Sequence, residues 1–393
     1  MNIRSRLVPP VFGTWTNSTE RPSRVNIGTS GILVERLPLP SGPPDIIGPM
    51  SARKRRWSRR PSWAPATPPV EPRRPPRLLT VEDAYLSEVA TGRLATVHHL
   101  DQWFRGAVYD ADDTLVPSSQ KVLGNPRGKR VAADPERVAR RDDAEQLTGT
   151  WLYGGTWASV YGHFLVETLT TLWPTLEQRP VGLVFHSSFG RHRRADWQDR
   201  LLELAGWGDL PVHVVDRARP ARADRLVVPG RSVSLHAWAH PEARDVWQRV
   251  AAGFRDLDGP ERVHVSRTAL NAARRANGHR RPIRTSAEED RALDEVLAGH
   301  GFEIVAPESL TIDEQLRTVA GARVIAGLSG SGLHQSAFMA PGGRVVEIGD
   351  GRSADEPVAM QVAIDAALGH ERSFVPGGTG PAGLERTLRR LGL

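Results

Sequence analysis

Four short segments carry residue types that could do chemistry at a useful spacing. Tyr161-Gly162-His163-Phe164-Leu165-Val166-Glu167 places His163 and Glu167 four residues apart. On a helix such side chains sit one above the other. A carboxylate beside an imidazole raises its basicity and fixes its ring, which is what a general base requires. Leu165, Leu169 and Leu172 fall on the opposite side of that helix and can pack on a sheet. The pair is equally compatible with a polar contact that only holds structure. Val263-His264-Val265-Ser266-Arg267 is a strand running into Ser-Arg. At the carboxyl end of a parallel strand, Arg267 would face the crevice where α/β sheets bind ligands. Its planar fork suits a diphosphate, and a surface arginine reads the same in sequence.

The third segment is Ala322–Gly349. A short apolar run, Val324-Ile325-Ala326, leads into Gly327-Leu328-Ser329-Gly330-Ser331-Gly332. An apolar-rich stretch to Met339, a Pro-Gly-Gly break and a second apolar run, Val345-Val346-Glu347-Ile348, follow. This reads as strand, glycine loop, short helix, turn, strand. The backbone N–H groups of Gly330, Ser331 and Gly332 could meet an anion at the helix start. The spacing is not GxGxxG, so no dinucleotide fingerprint is present, and a tight turn would need the same glycines. Glu347 is the fourth candidate. A carboxylate at an apolar strand end is costly without partners. Ribose hydroxyls would satisfy it, as would a backbone cap or an ion pair.

Other chemistry is poorly supported. The chain has no cysteine, which excludes disulfides, thiolate metal sites and a cysteine nucleophile. No HExxH occurs, the pair His186/His192 reads as surface residues, and the pair His236/His240 as structural or chance. GLSGSG is not the GxSxG elbow of a serine nucleophile.

The elements that would position these residues alternate between strand and helix. Strands are expected at Thr148–Tyr153, Val181–Phe185, Val212–Val215 and Leu226–Val228, with helices at Tyr161–Trp173, Asp196–Ala205 and Pro241–Asp256. Asp258-Gly259-Pro260 is a break. Beyond it come strands at Arg262–Ser266, Phe302–Val305 and Ser373–Val375, a polar loop over Asn271–Arg281, and helices at Ala287–His300, Ile312–Val319, Ala359–Leu368 and Gly383–Leu391. Ser286 and Thr311 stand at N-cap positions, the latter with Glu314 completing a capping box. Alternation in both halves implies two doubly wound α/β domains facing a cleft. The expected division is an arm over 1–76, a first domain over 77–258, a second over 259–376 and a C-terminal helix over 377–393.

Charge separates the arm from the body. Residues 1–80 hold 14 of the 52 Lys and Arg residues but only 4 of the 45 Asp and Glu residues, so the basic excess belongs to the arm. A specific nucleic-acid partner for the folded body is therefore not expected. The Pro-, Arg- and Ser-rich arm reads as disordered. Its basic cluster Arg53–Arg60 could touch anionic lipid weakly. Met50, directly before that cluster, reads as an alternative start. No apolar run reaches the length of a membrane span and no signal-peptide core is seen, so the expected location is the cytoplasm, in part against the inner membrane face.

Taken together, the segments resemble glycosyltransferase family 61, the capsular polysaccharide biosynthesis type. The resemblance runs through Gly154–Glu167, Val263–Arg267 and Ser286–Gly349 in the family's order. An aromatic-x-His-x-x-x-Glu helix is matched by Tyr161, His163 and Glu167, and a strand ending in Ser-Arg by Ser266 and Arg267. The glutamine segment is matched by Leu310–Gln315, and the terminal element by Gly330, Gly332, Leu333, Phe338-Met339-Ala340-Pro341-Gly342 and Glu347. Ser329 and Gln335 stand where the family usually has His and Asn, and Thr285 where an Asn is common. The resemblance implies a GT-B fold of two Rossmann-like domains and an inverting, metal-independent glycosyltransferase. His163 would be the base, oriented by Glu167. Ser266, Arg267, Gly330, Ser331, Gly332 and Glu347 would bind a nucleoside-diphosphate sugar, a UDP-sugar being the leading expectation. The acceptor would be a glycan or other hydroxyl, with no separate cofactor. A non-catalytic sugar- or nucleotide-binding scaffold of a polysaccharide assembly cluster is the alternative.

Overall fold

The computed structural model describes residues 76–92, 102–120, 131–132, 142–188, 194–217, 219–235, 237–278, 283–351 and 353–393. Apart from Pro76, the expected arm lies outside the described residues, as do Met50, Arg53–Arg60, His192 and His236. All described residues belong to one compact unit of mixed α/β structure.

The first half is built on a six-stranded sheet. Its strands are β1 (Leu78–Leu86), β2 (Val108–Tyr109), β3 (Glu145–Trp157), β4 (Gly182–Ser187), β5 (Val212–Val215) and β6 (Ala221–Pro229), in the order β2-β1-β6-β3-β4-β5. β6, β3, β4 and β5 run parallel, while β1 is antiparallel to both β6 and β2. β3 is far longer than its apolar run suggested, because a bulge between Tyr153 and Thr156 carries it past Gly154-Gly155 without breaking the sheet. Helices α1 (Asp196–Leu204) and α2 (Pro241–Ala251) complete this half.

The second half is a five-stranded, wholly parallel sheet. Its strands are β7 (Arg262–Val265), β8 (Glu303–Val305), β9 (Val324–Leu328), β10 (Arg344–Ile348) and β11 (Glu371–Val375), in the order β8-β7-β9-β10-β11. Its helices are α3 (Thr268–Ala276), α4 (Ala287–Gly299), α5 (Ile312–Val319), α6 (Ala359–Leu368) and α7 (Gly380–Leu391). Such a sheet must bury both faces, and its strands alternate accordingly. Val324, Ala326, Leu328, Val346 and Ile348 pack under α4 and α7 with Leu293, Leu297, Leu384 and Leu388. Val263, Val265, Ile325 and Val345 face the other way.

That second face is shared. One apolar cluster holds Leu152, Phe185 and Val227 from the first sheet, Leu165, Leu169 and Leu172, the α2 residues Val246, Trp247 and Val250, and Ile312, Ile325, Val345 and Ile364 from the second half. Polar links reinforce it. Gln248 on α2 donates from Nε2 to the carbonyls of Ala337 and Met339, each at 3.1 Å. Arg200 on α1 forms a fork with Asp313 at the start of α5, at 2.7 and 2.9 Å. The two sheets are thus fastened through a common helical layer. Among the described residues no helix is long and apolar enough to cross a membrane.

Caps follow the sequence. Ser286 Oγ accepts from the Glu289 N–H, and Thr311 and Glu314 form the full capping box. One reading needs correction. The polar loop expected from Asn271 is helix α3 up to Ala276. Thr-Ala-Leu-Asn-Ala-Ala-Arg-Arg-Ala is rich in alanine and arginine, both strong helix formers, and its buried Asn271 is satisfied by Thr285 and Asp290.

Candidate active site

The His163 segment is helical but irregular. An α turn over Tyr161–His163, a π turn over Phe164–Thr168 and a 3-10 turn over Leu169–Leu172 run on without a break. A π turn is rare and often marks a functional position. Phe164, Leu165, Leu169 and Leu172 are fully buried, as their spacing required. On the other side His163 Nδ1 lies 2.6 Å from Glu167 Oε2, with side-chain exposures of 48% and 6%. A carboxylate can only accept, so the proton of the neutral ring sits on Nδ1. Nε2 is then left with its lone pair on a half-exposed ring, the state of a competent base. The backbone also fixes the helix: the Thr168 hydroxyl donates to Thr156 O at 2.6 Å and accepts from Ala158 N–H at 3.1 Å.

β7 and β9 are neighbours although β8 intervenes in the chain. The sheet reverses its winding between them, and a doubly wound sheet binds ligands at the carboxyl ends of such a pair. Arg267 and the glycine loop are the segments that leave those two ends. Arg267 donates from Nη2 to the Ser329 carbonyl at 3.0 Å, so arginine and loop are in direct contact. Gly330 has φ +126°, a conformation that requires glycine. The N–H groups of Gly330, Ser331 and Gly332 donate to no other group of the described residues. The element after the loop is a six-residue 3-10 turn, Leu333–Phe338. Its dipole is small, so anion binding here rests on the loop N–H groups themselves.

The two halves meet at this point. A Cβ built on Gly162 would lie 2.4 Å from Ser331 Oγ and 2.6 Å from Ser331 Cβ. The residue before His163 is therefore glycine because the loop packs directly on it. The structure brings His163, Glu167, Arg267, Gly330, Ser331 and Gly332 into one neighbourhood from three segments spread between residues 163 and 332.

Ser266 and Glu347 are both engaged by hydrogen bonds within the protein. The Ser266 hydroxyl donates to Asp294 Oδ2 at 3.0 Å and accepts from the Thr268 N–H at 3.1 Å. It starts α3 and so aims Arg267, and its oxygen is committed to that task. Glu347 is fully buried. Its Oε1 accepts from Ser329 Oγ at 2.7 Å and from the Val358 N–H at 2.9 Å. Burial pushes its pKa up to about 6, while the Val358 and Ser329 hydrogen bonds pull the other way. Through Oε1 this carboxyl fastens the loop to β10. Ser329, where the resemblance leads one to expect histidine, is the donor it needs. Thr285 is likewise built in, donating to Asp290 Oδ1 at 2.5 Å and accepting from Asn271 Nδ2 at 3.2 Å.

Two residues escaped the sequence reading. Asp350 has a fully buried side chain, and Arg284 Nη1 lies 2.8 Å and Arg267 Nη1 3.8 Å from the same oxygen, Oδ2. Two guanidinium groups thus share one carboxylate beside the loop. No spacing signal links Arg267, Arg284 and Asp350, since three different loops deliver them.

The sequence model of the family described as Glycosyltransferase 61 matches residues 161–346. The match starts at Tyr161, covers His163, Glu167, Arg267 and the whole glycine loop, and stops one residue short of Glu347. The chain carries a glycosyltransferase family 61 domain. The protein is accordingly a glycosyltransferase, with donor and acceptor substrates. No curated protein matches the chain. The matched span of the glycosyltransferase contains both carboxyl-end segments and the His163 helix, so the family signature and the geometric convergence coincide.

Proposed function

We propose that the protein is an inverting glycosyltransferase of GT-B type that uses a nucleoside-diphosphate sugar and needs no metal. The observation that carries this reading is the packing of the glycine loop on the His163 helix at Gly162 and Ser331. It puts an anion-binding loop and a carboxylate-oriented histidine on one short path. In the proposed reaction His163 Nε2 takes the proton of an acceptor hydroxyl, and Glu167 stabilises the resulting imidazolium. The acceptor oxygen forms its bond to the anomeric carbon from the face opposite the diphosphate. The bond from that carbon to the diphosphate oxygen breaks, and the oxygen leaves with the electron pair. Arg267 and the loop N–H groups receive the charge, as preorganised donors do for a developing anion. Ser266, Glu347 and Asp350 hold these groups in place. UDP is the nucleotide proposed, and a glycan of a surface polysaccharide or glycoconjugate the acceptor.

The test is incubation with a panel of nucleotide sugars and mixed hydroxyl acceptors, with NMR of the product's anomeric centre. Transfer with inversion, lost in His163→Ala, is expected. Retention of configuration, or full transfer by His163→Ala, overturns the mechanism. Nucleotide binding without turnover would instead identify a scaffold.

A further inference from the structure

The first sheet has its own point where the winding reverses, between β3 and β6, which are neighbours although β4 and β5 intervene. Arg231 follows the carboxyl end of β6 at that point. Its Nη2 is shielded from solvent and has no hydrogen-bond partner. No carboxylate of the described residues lies within ion-pair distance of its guanidinium. A guanidinium N–H group shielded from water without an acceptor is costly, since such groups normally find a partner. The surroundings keep it in place. A Cβ built on Gly155, at φ +77°, would lie only 3.0 Å from Arg231 Nη1 and 3.3 Å from Thr171 Oγ1. On either side the Ser232 hydroxyl donates to Thr170 O at 2.6 Å and Trp173 Nε1 to Gly230 O at 2.9 Å. Thr171 continues the row His163–Glu167–Thr171 along the same helix. Ser331 packs on Gly162 in the first turn of that segment, whereas Arg231 lies by Gly155 on the side of Thr171, nine residues further along.

We propose that Arg231 binds an acidic group, a carboxylate or a phosphate, carried by the acceptor on the side away from the donor loop. This rests on the reading of His163 as the base that meets the acceptor. An arginine fork pairs with either oxyanion through two parallel hydrogen bonds. The neighbouring His186 cannot compete as a cation: burial pushes its pKa down to about 3, and the charge of Arg231 pushes the same way. A neutral imidazole carries no negative charge, and both its ring nitrogens are engaged, by Tyr153 at 2.8 Å and the Ser87 carbonyl at 3.1 Å, so it is no acceptor for Arg231. The acceptor class that fits is an acidic saccharide, and the neutral sugars are disfavoured because they leave the guanidinium unpaired.

The experiment is calorimetric titration of the full chain with glucuronate, glucose 6-phosphate and glucose, alongside UDP. At least one of the two anionic sugars should bind roughly tenfold or more tightly than glucose, the difference expected for a hydrogen-bonded charge pair. Which of them does so separates a carboxylate from a phosphate. Arg231→Gln should abolish the preference while leaving UDP affinity unchanged. Equal affinity for all three sugars in the wild type, or an intact preference in Arg231→Gln, overturns the proposal. Arg231→Lys covers a Gln variant that does not fold: it keeps the charge but not the fork, and an undiminished preference there also overturns the proposal. Absence of UDP binding with the anion preference intact would count against the nucleotide-sugar reading alone.

Discussion

Gly162→Ala is the substitution whose consequence follows most directly from the structure. The added Cβ would meet Ser331 Oγ at 2.4 Å, Ser331 Cβ at 2.6 Å and Ser331 Cα at 3.2 Å. A rotamer change can move the hydroxyl but not the Cα, so loop or helix must shift. Overpacking of one methyl in a tight contact costs about 1–3 kcal/mol. In a domain of this size that corresponds to a drop in melting temperature of a few degrees per kcal/mol. A shift of the loop also separates its N–H groups from the His163 helix, so nucleotide affinity should fall about tenfold. The assay is a thermal melt and a UDP titration of the wild type, Gly162→Ala, Ser331→Gly and the double variant. Removing the Ser331 side chain takes away both closest atoms, so Ser331→Gly should restore most of the loss in the double variant, giving a coupling of 1 kcal/mol or more. A single Gly162→Ala variant that melts and binds like the wild type, or a double variant with strictly additive losses, would refute the packing of loop on helix as the reason for this glycine.

Three further outcomes are expected. Glu167→Gln keeps the shape of the dyad but removes its charge, so the rate of transfer should drop by about 10²-fold with donor affinity unchanged, measured as separate kcat and KM; a proportional loss of donor binding would point to a structural role. Burial pushes the Asp365 carboxyl up to about 8 and Glu347 to about 6. The folded state therefore holds protons that the unfolded chain releases near pH 4, so stability is greatest below about pH 4 on this count and declines as pH rises toward 8. Asp365→Asn should flatten that slope in melts taken from pH 5 to 8, and an unchanged slope would remove Asp365 as its cause. Thr311→Ala deletes the hydroxyl that accepts from the Glu314 N–H in the α5 capping box and should cost about 1 kcal/mol in denaturant unfolding, with no effect on nucleotide affinity.

Much of the fold was legible because its elements are short and sharply punctuated. Pro241 and Ile312 begin helices where a proline and a cap placed them, Asp196 and Ala359 begin helices at the residues expected, and the strand at Val212–Val215 was read to the residue. The reading failed where tertiary context overrides local signal. β3 extends to Trp157 because a bulge absorbs two glycines that look like a break. α3 was hidden by polar residues whose partners, Thr285 and Asp290, lie beyond the next loop. In the site, His163, Glu167 and Arg267 carried recognisable chemistry in their spacing. Their convergence with Ser331 did not, since it depends on a close approach that the sequence marks only by Gly162. Ser266 and Glu347 were visible as polar residues at strand ends, but whether such a residue faces a ligand or a helix cap depends on its rotamer and neighbours. Arg231, Arg284 and Asp350 left no pattern at all, being single residues in loops brought together by the sheets.

The most direct test of the proposed donor site is a UDP titration of the wild type, Arg267→Ala and His163→Ala, followed calorimetrically. The wild type should bind UDP. Arg267→Ala should lose roughly tenfold to a hundredfold in affinity, the worth of a hydrogen bond to a charged group. His163→Ala should bind as tightly as the wild type, because its duty lies with the acceptor. A wild type that binds no nucleoside diphosphate, or an Arg267→Ala variant with undiminished affinity, would contradict the assignment of the glycine loop and Arg267 as the donor site.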